Sequence, residues 1–94
     1  MGSTDTLSKA FTIKNKLGLH ARAAAVFVQL TNKFSSEIKL IKDGYEVNGK
    51  SILGILSLAA IQGTELNVVA IGKDAGEVLS EVGKLIESGF GEEM

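Results

Sequence analysis

Apolar residues fall at Leu7, Phe11 and Ile13, a spacing of two that predicts a half-buried strand over Leu7–Ile13. Asn15, Lys16 and Gly18 follow as a loop, and the rhythm then changes. From Ala21 to about Phe34 the apolar positions Ala24, Phe27, Val28, Thr31 and Phe34 recur at helical spacing. The alanine run Ala23-Ala24-Ala25 adds strong helix propensity. A second strand is expected over Glu37–Lys42, an Asp43-Gly44 turn, and a returning strand over Tyr45–Asn48. Ser51 is a candidate N-cap for a short helix over Ile52–Ala60. Gln62-Gly63-Thr64 breaks the chain before a fourth strand, Glu65–Ile71, with Leu66, Val68 and Ala70 on one face. Asp74 is placed to cap a last helix, Ala75–Glu87, whose stripe is Val78, Leu79, Val82, Leu85 and Ile86. The order β-α-β-β-α-β-α predicts an α+β sandwich with the helices on one face of the sheet. Ninety-four residues suffice for one domain over 1–94, with a core of about 7–87 and frayed, flexible ends at 1–6 and 88–94.

Composition narrows the function. Ten basic and eleven acidic residues argue against a nucleic-acid surface, and the lack of tryptophan leaves no stacking ladder for single strands. No cysteine means no disulfide and no thiolate metal site; carboxylates spaced to join the single histidine around a metal are not evident, so no metal or cofactor is expected. The longest apolar run, Ile52–Ile61, is interrupted by Gly54 and Ser57 and is too short to span a bilayer. Met1–Thr6 is polar and does not read as a secretory signal, which makes a cytoplasmic address the default expectation.

The candidate chemistry gathers at His20. A lone histidine is commonly an ordinary surface or core residue, and Arg22 can be read as a plain exposed helix residue. The position changes the weight. His20 lies after a loop glycine and before the alanine-rich helix, where the amides of Ala21, Arg22 and Ala23 lack intrahelical acceptors. Those amides and the helix dipole suit an anion, and the guanidinium of Arg22 suits phosphate oxygens. A neutral imidazole is a nucleophile near neutral pH, so the group fits a phosphoacceptor that releases its cargo again.

The segment Gly18-Leu19-His20-Ala21-Arg22-Ala23-Ala24-Ala25 resembles the active-site signature of the histidine-containing phosphocarrier (HPr) family of the phosphotransferase system. Lys50-Ser51-Ile52-Leu53-Gly54-Ile55-Leu56-Ser57-Leu58 resembles the regulatory-serine segment of the same family, and the likeness runs from about Leu7 to Glu87. The resemblance implies an open-faced sandwich with a four-stranded antiparallel sheet. It also implies phosphorylation of His20 on Nδ1 by enzyme I, using phosphoenolpyruvate, and transfer to an enzyme II component or a regulatory acceptor. Arg22 then stabilises the phosphate, and an ATP-dependent HPr kinase/phosphorylase modifies Ser51. One departure stands out: the family usually has proline where this chain has Ala23.

The second helix is apolar almost all round. Ile52, Leu53 and Leu56 are expected to form a docking patch, extended by Ala23, Val26 and Leu30 of the first helix and given charge by Lys50. Two other classes of function stay open from the residues: a small hydrolase resembling acylphosphatase, and a purely regulatory interaction protein controlled at Ser51, as in nitrogen-related branches of the family. A monomer is expected in either case.

Overall fold

The fourth strand shows most directly how the pattern becomes a sheet. In Glu65–Ile71, Leu66, Val68 and Ala70 are buried while Glu65 and Asn67 face outward, the period of two that an extended chain imposes. The structure is a computed structural model that describes residues 5–92. Its elements are β1 (Thr6–Thr12), α1 (Ala21–Thr31), β2 (Glu37–Lys42), β3 (Tyr45–Asn48), α2 (Ile52–Ser57), β4 (Glu65–Ile71) and α3 (Ala75–Glu87), with a closing 3-10 turn at Gly89–Gly91. The strands lie in the order β1-β4-β2-β3, every neighbouring pair antiparallel. Val68 sits between Lys9 and Leu40, and Leu40 is paired in turn with Val47. This is the four-stranded open sheet with three helices that was expected.

The helices supply the other half of the core. Val78, Val82 and Ile86 of α3 join Phe11, Leu66 and Val68 of the sheet, and Ala24, Phe27 and Val28 of α1 complete the layer. Gly83 lets the Phe11 ring come close: a Cβ there would lie 2.9 Å from the ring. Thr31, fully buried, donates to the Gly49 carbonyl at 2.8 Å and so ties α1 to the segment that enters α2. Asp43 and Gly44 both adopt positive φ, the twist that a two-residue hairpin between β2 and β3 requires.

Four expectations need correction. The first helix stops at Thr31 rather than near Phe34, because the amides of Lys33 and Phe34 turn to the carbonyls three residues back. The second stops at Ser57 rather than Ala60: Leu58 and Ala59 also bond three residues back, and Ala59 turns left-handed at φ 49°. Asp74 heads α3, yet its carboxylate makes no cap to that helix. It accepts instead from the amides of Ser35 and Ser36, at 2.9 and 3.0 Å, and from both serine hydroxyls. Finally, the ends are folded where they are described. Thr6 opens β1, and the Asp5 carbonyl accepts from Gly72; residues 1–4 and 93–94 lie outside the described part. The tail Gly89–Gly91 turns with all three residues at positive φ and buries the Phe90 ring against the core.

Candidate functional site

The site is built where β1 runs out. Ile13 continues the strand through bonds to Gly63 and Thr64, and the chain then turns through Asn15, whose carbonyl accepts from Gly18. Gly18 holds φ 67° against the loop after α2; a Cβ would meet the Ala60 carbonyl oxygen at 2.4 Å, so no other residue fits without displacing backbone. The next amide, of Leu19, bonds to that same Ala60 carbonyl at 2.9 Å. His20 is thereby delivered to the start of α1 in extended conformation, as its N-cap.

The imidazole does not cap the helix. The first intrahelical bond is from the Ala24 amide to the His20 carbonyl, so the amides of Ala21, Arg22 and Ala23 come before the ladder begins. Arg22 is exposed and makes no ion pair among the described residues. The ring of His20, about 29% exposed, reaches Glu92: Nε2 lies 2.7 Å from Oε2. The other oxygen of Glu92 accepts from Asn15 Nδ2 at 2.9 Å, and the same Nδ2 donates to the Gly18 carbonyl at 2.9 Å. Burial pushes the Glu92 carboxyl up. The bonds from Asn15 and His20, with the electrostatic attraction of the His20 ring and Arg22, outweigh that and hold it below the usual carboxylate range.

Neither Asn15 nor Glu92 was singled out from sequence. Asn15 reads as one more turn residue until its side chain is seen fully buried. Glu92 belongs to a tail expected to fray. A phenylalanine between two glycines was the available signal, since such a tail has an anchor and the means to turn.

The second motif behaves as its cap reading requires. Ser51 Oγ accepts from the Gly54 amide at 3.0 Å, and the Ser51 carbonyl receives the first bond of α2. Lys50 is half-buried, and its ammonium donates to the Phe34 carbonyl at 2.7 Å. Of the expected docking residues, Leu53 is 80% exposed and Ile52 is exposed beside it. Leu56 is half-buried against the core. Ala23 is completely buried, so its side chain is part of the core and not of any outer patch. Val26 and Leu30 are half-buried and line a groove between α1 and α3 with Lys33, Glu81, Lys84 and Leu85.

Among the described residues no helix is long and apolar enough to cross a membrane. Comparison with known proteins agrees with the geometry. The family described as the PTS HPr component phosphorylation site matches residues 7–88. The phosphocarrier protein HPr of Xylella fastidiosa (strain Temecula1) is 45% identical over 87 residues, covering 93% of this chain and 98% of the relative. The HPr-like protein Crh of Bacillus subtilis is 45% identical over 75 residues, covering 80% of this chain and 88% of its own. The crystal structure of HPr-C-His from Thermoanaerobacter tengcongensis superposes with a TM-score of 0.90 at 50% identity, covering 94% of this chain and 99% of that one. With a histidine at the head of a helix, an arginine two residues on, and family likeness along almost its whole length, this chain belongs to the HPr family of phosphocarrier proteins of the phosphotransferase system.

Proposed function

We propose that this phosphocarrier, which is not a turnover enzyme, accepts its phosphoryl group on His20 Nδ1 from enzyme I charged by phosphoenolpyruvate. It then passes the group to an enzyme II component or a regulatory acceptor. The observation that carries this reading is the placement of His20 immediately before three amides that precede the helical ladder, with the exposed Arg22 beside them. A phosphoryl group on the ring would find the helix dipole, free N–H donors and a planar cation within one turn. Such partners at a half-exposed position hold an anion without enclosing it, which suits a group that must leave again. The proposed working state is a cytoplasmic monomer.

Incubation with enzyme I and phosphoenolpyruvate, read by mass spectrometry, will add one acid-labile phosphate to the wild type and none to His20→Ala. A wild-type chain that stays unmodified overturns the assignment. The alanine at position 23 supports a second measurement. The Ala23 amide lies outside the ladder, so proline is compatible with the first turn. Ala23→Pro will fold and will change the lifetime of the phosphohistidine or the choice of partner.

Ser51 is the proposed site of regulatory phosphorylation by an HPr kinase/phosphorylase. Its hydroxyl already faces the head of α2, where added negative charge is locally favourable, so modification need not unfold the domain. The charge acts outward, against an acidic partner surface or a second phosphate at His20. Docking rests on Leu53 and Ile52, the exposed apolar residues that follow Ser51.

A further inference from the structure

We propose that Glu92 is a positioning residue that holds the proton of His20 on Nε2 and thereby keeps Nδ1 as the nucleophile. The inference rests on the phosphocarrier reading of His20 and extends it to a residue in the tail.

Hydrogen-bond polarity decides which atoms donate. A backbone carbonyl can only accept, so the group that Gly18 O meets at 2.9 Å must be the amide nitrogen of Asn15 and not its oxygen. Asn15 is fully buried in the turn, so this orientation is fixed; flipping the amide would set Oδ1 against Gly18 O and Glu92 together. The same nitrogen therefore presents its second hydrogen to Glu92 Oε1 at 2.9 Å. An ionised carboxylate can only accept, and its remaining oxygen lies 2.7 Å from His20 Nε2. Nε2 must be the donor. In a neutral ring the proton then resides on Nε2, and Nδ1 keeps its lone pair. The polarity of each bond in the set is thus fixed: Asn15 donates to the Gly18 carbonyl and to Glu92, and the ring donates to the other oxygen of Glu92.

The rest of the tail serves the same end. Gly89, Phe90 and Gly91 all take positive φ, at 67°, 58° and 74°, and the buried Phe90 ring pins the turn. The Glu92 amide closes it on the Gly89 carbonyl at 2.9 Å. Phenylalanine is not a residue that favours the left-handed region, so burial of its ring is what holds this hook shut. The carboxylate is therefore delivered by packed structure and not by chance approach of a loose end.

During transfer the Nδ1 pair forms the new N–P bond, and the bond from phosphorus to the donor breaks with its pair remaining on the donor. No proton leaves the ring in this step. The positive charge that develops on the imidazole is shared through the Nε2 proton with Glu92, which is more favourable than meeting it with a neutral group. Arg22 is the other charge facing this carboxylate, and it draws some of the same field.

Glu92→Gln tests the proposal directly. With Asn15 fixed as donor, the oxygen of the substituted amide must face Asn15 and its NH2 must face the ring. That NH2 needs an acceptor at Nε2, which moves the ring proton to Nδ1. Glu92→Ala simply releases the ring to water. Nitrogen-15 NMR of the neutral ring in the free protein is expected to show the Nε2–H form in the wild type and a rise of the Nδ1–H form in Glu92→Gln. Phosphate acceptance from enzyme I is expected to slow roughly five- to tenfold in Glu92→Gln, the effect of one net hydrogen bond on a two-state equilibrium. Glu92→Ala should be less impaired than Glu92→Gln, and the KM for enzyme I should hold in both. Equal tautomer populations in wild type and Glu92→Gln overturn the proposal, as does a rate for Glu92→Gln equal to the wild type. The NMR readout needs no partner protein, so a chain that is never phosphorylated on His20 would defeat the carrier reading while leaving the tautomer result to stand or fall separately.

Discussion

Ala59 carries a cost that its neighbours do not. It sits just past the end of α2 at φ 49°, where a Cβ crowds the backbone and glycine would not. Ala59→Gly is expected to stabilise the protein by about 0.5–1 kcal/mol, the relieved strain exceeding the added freedom of the unfolded chain, as urea denaturation would measure. Gly18 is the opposite case. Its φ of 67° and the Ala60 oxygen at 2.4 Å from a would-be Cβ leave alanine no room, so Gly18→Ala should cost about 2 kcal/mol or more. The same variant should slow phosphate acceptance, because the displaced backbone is what presents His20 and orients Asn15. Thermal unfolding and transfer rates measured together separate the two effects. At this scale the sequence was a fair guide to what a residue could do and a poor one to what it touches. His20, Arg22 and Ser51 stand out as candidates from motif and neighbour alone, and the structure places each at the head of its helix. Asn15 and Glu92 could not, since 77 positions separate two groups that share a hydrogen bond.

The short helix α2 depends on its ends more than its length. Six residues make less than two turns, below what holds a helix without outside support. The bond from the Gly54 amide to Ser51 Oγ is therefore a large share of what keeps it in place. Ser51→Ala should lose about 1 kcal/mol, whereas Ser51→Asp keeps an acceptor at the cap and should retain that stability. If Ser51 regulates as proposed, Ser51→Asp is nevertheless a poorer substrate for enzyme I; equal phosphorylation of the two proteins would refute the inhibitory role. Leu53 is the clean probe of docking on the same element. Being 80% exposed, it can become serine with stability changed by no more than about 0.5 kcal/mol, while enzyme I affinity falls in calorimetry. Leu56 is not such a probe, because it also packs on the core. The strands and α3 were legible almost to the residue, since period-two and helical burial are strong in Glu65–Ile71 and Ala75–Glu87. The C-terminal ends of α1 and α2 were not. Their apolar runs continue past the point where the backbone tightens to bonds three residues back, and composition carries no mark of that change.

For the molecule as a whole, Asp74 joins parts distant in the chain. It accepts from the Ser36 hydroxyl and from the amides of Ser35 and Ser36 in the segment between α1 and β2, and these bonds, the hydroxyl's foremost, lower its carboxyl to about 2. A carboxyl depressed in the folded state adds stability above its ordinary value near 3.8, and that stability is lost as pH falls through about 2. Asp74→Asn should therefore melt lower than wild type at neutral pH, with the gap closing as the solution is acidified toward pH 2; a constant gap in calorimetric scans would assign the bonds a role independent of charge. This latch lies at the end of the sheet where β1 begins, since Thr6 pairs with Ile71 and Asp5 accepts from Gly72. His20 lies past the other end of β1, a strand of seven residues and about 23 Å away. The two ends of the described chain are thus unequal neighbours of the chemistry. Whatever precedes Asp5, whether a label, a fusion or an affinity handle, starts a full strand from the imidazole. Whatever follows Glu92 starts one residue from the group that holds it, so a handle placed there would pull on the hook that Phe90 anchors. Assays of phosphate transfer with this protein are best made on chains extended at the front.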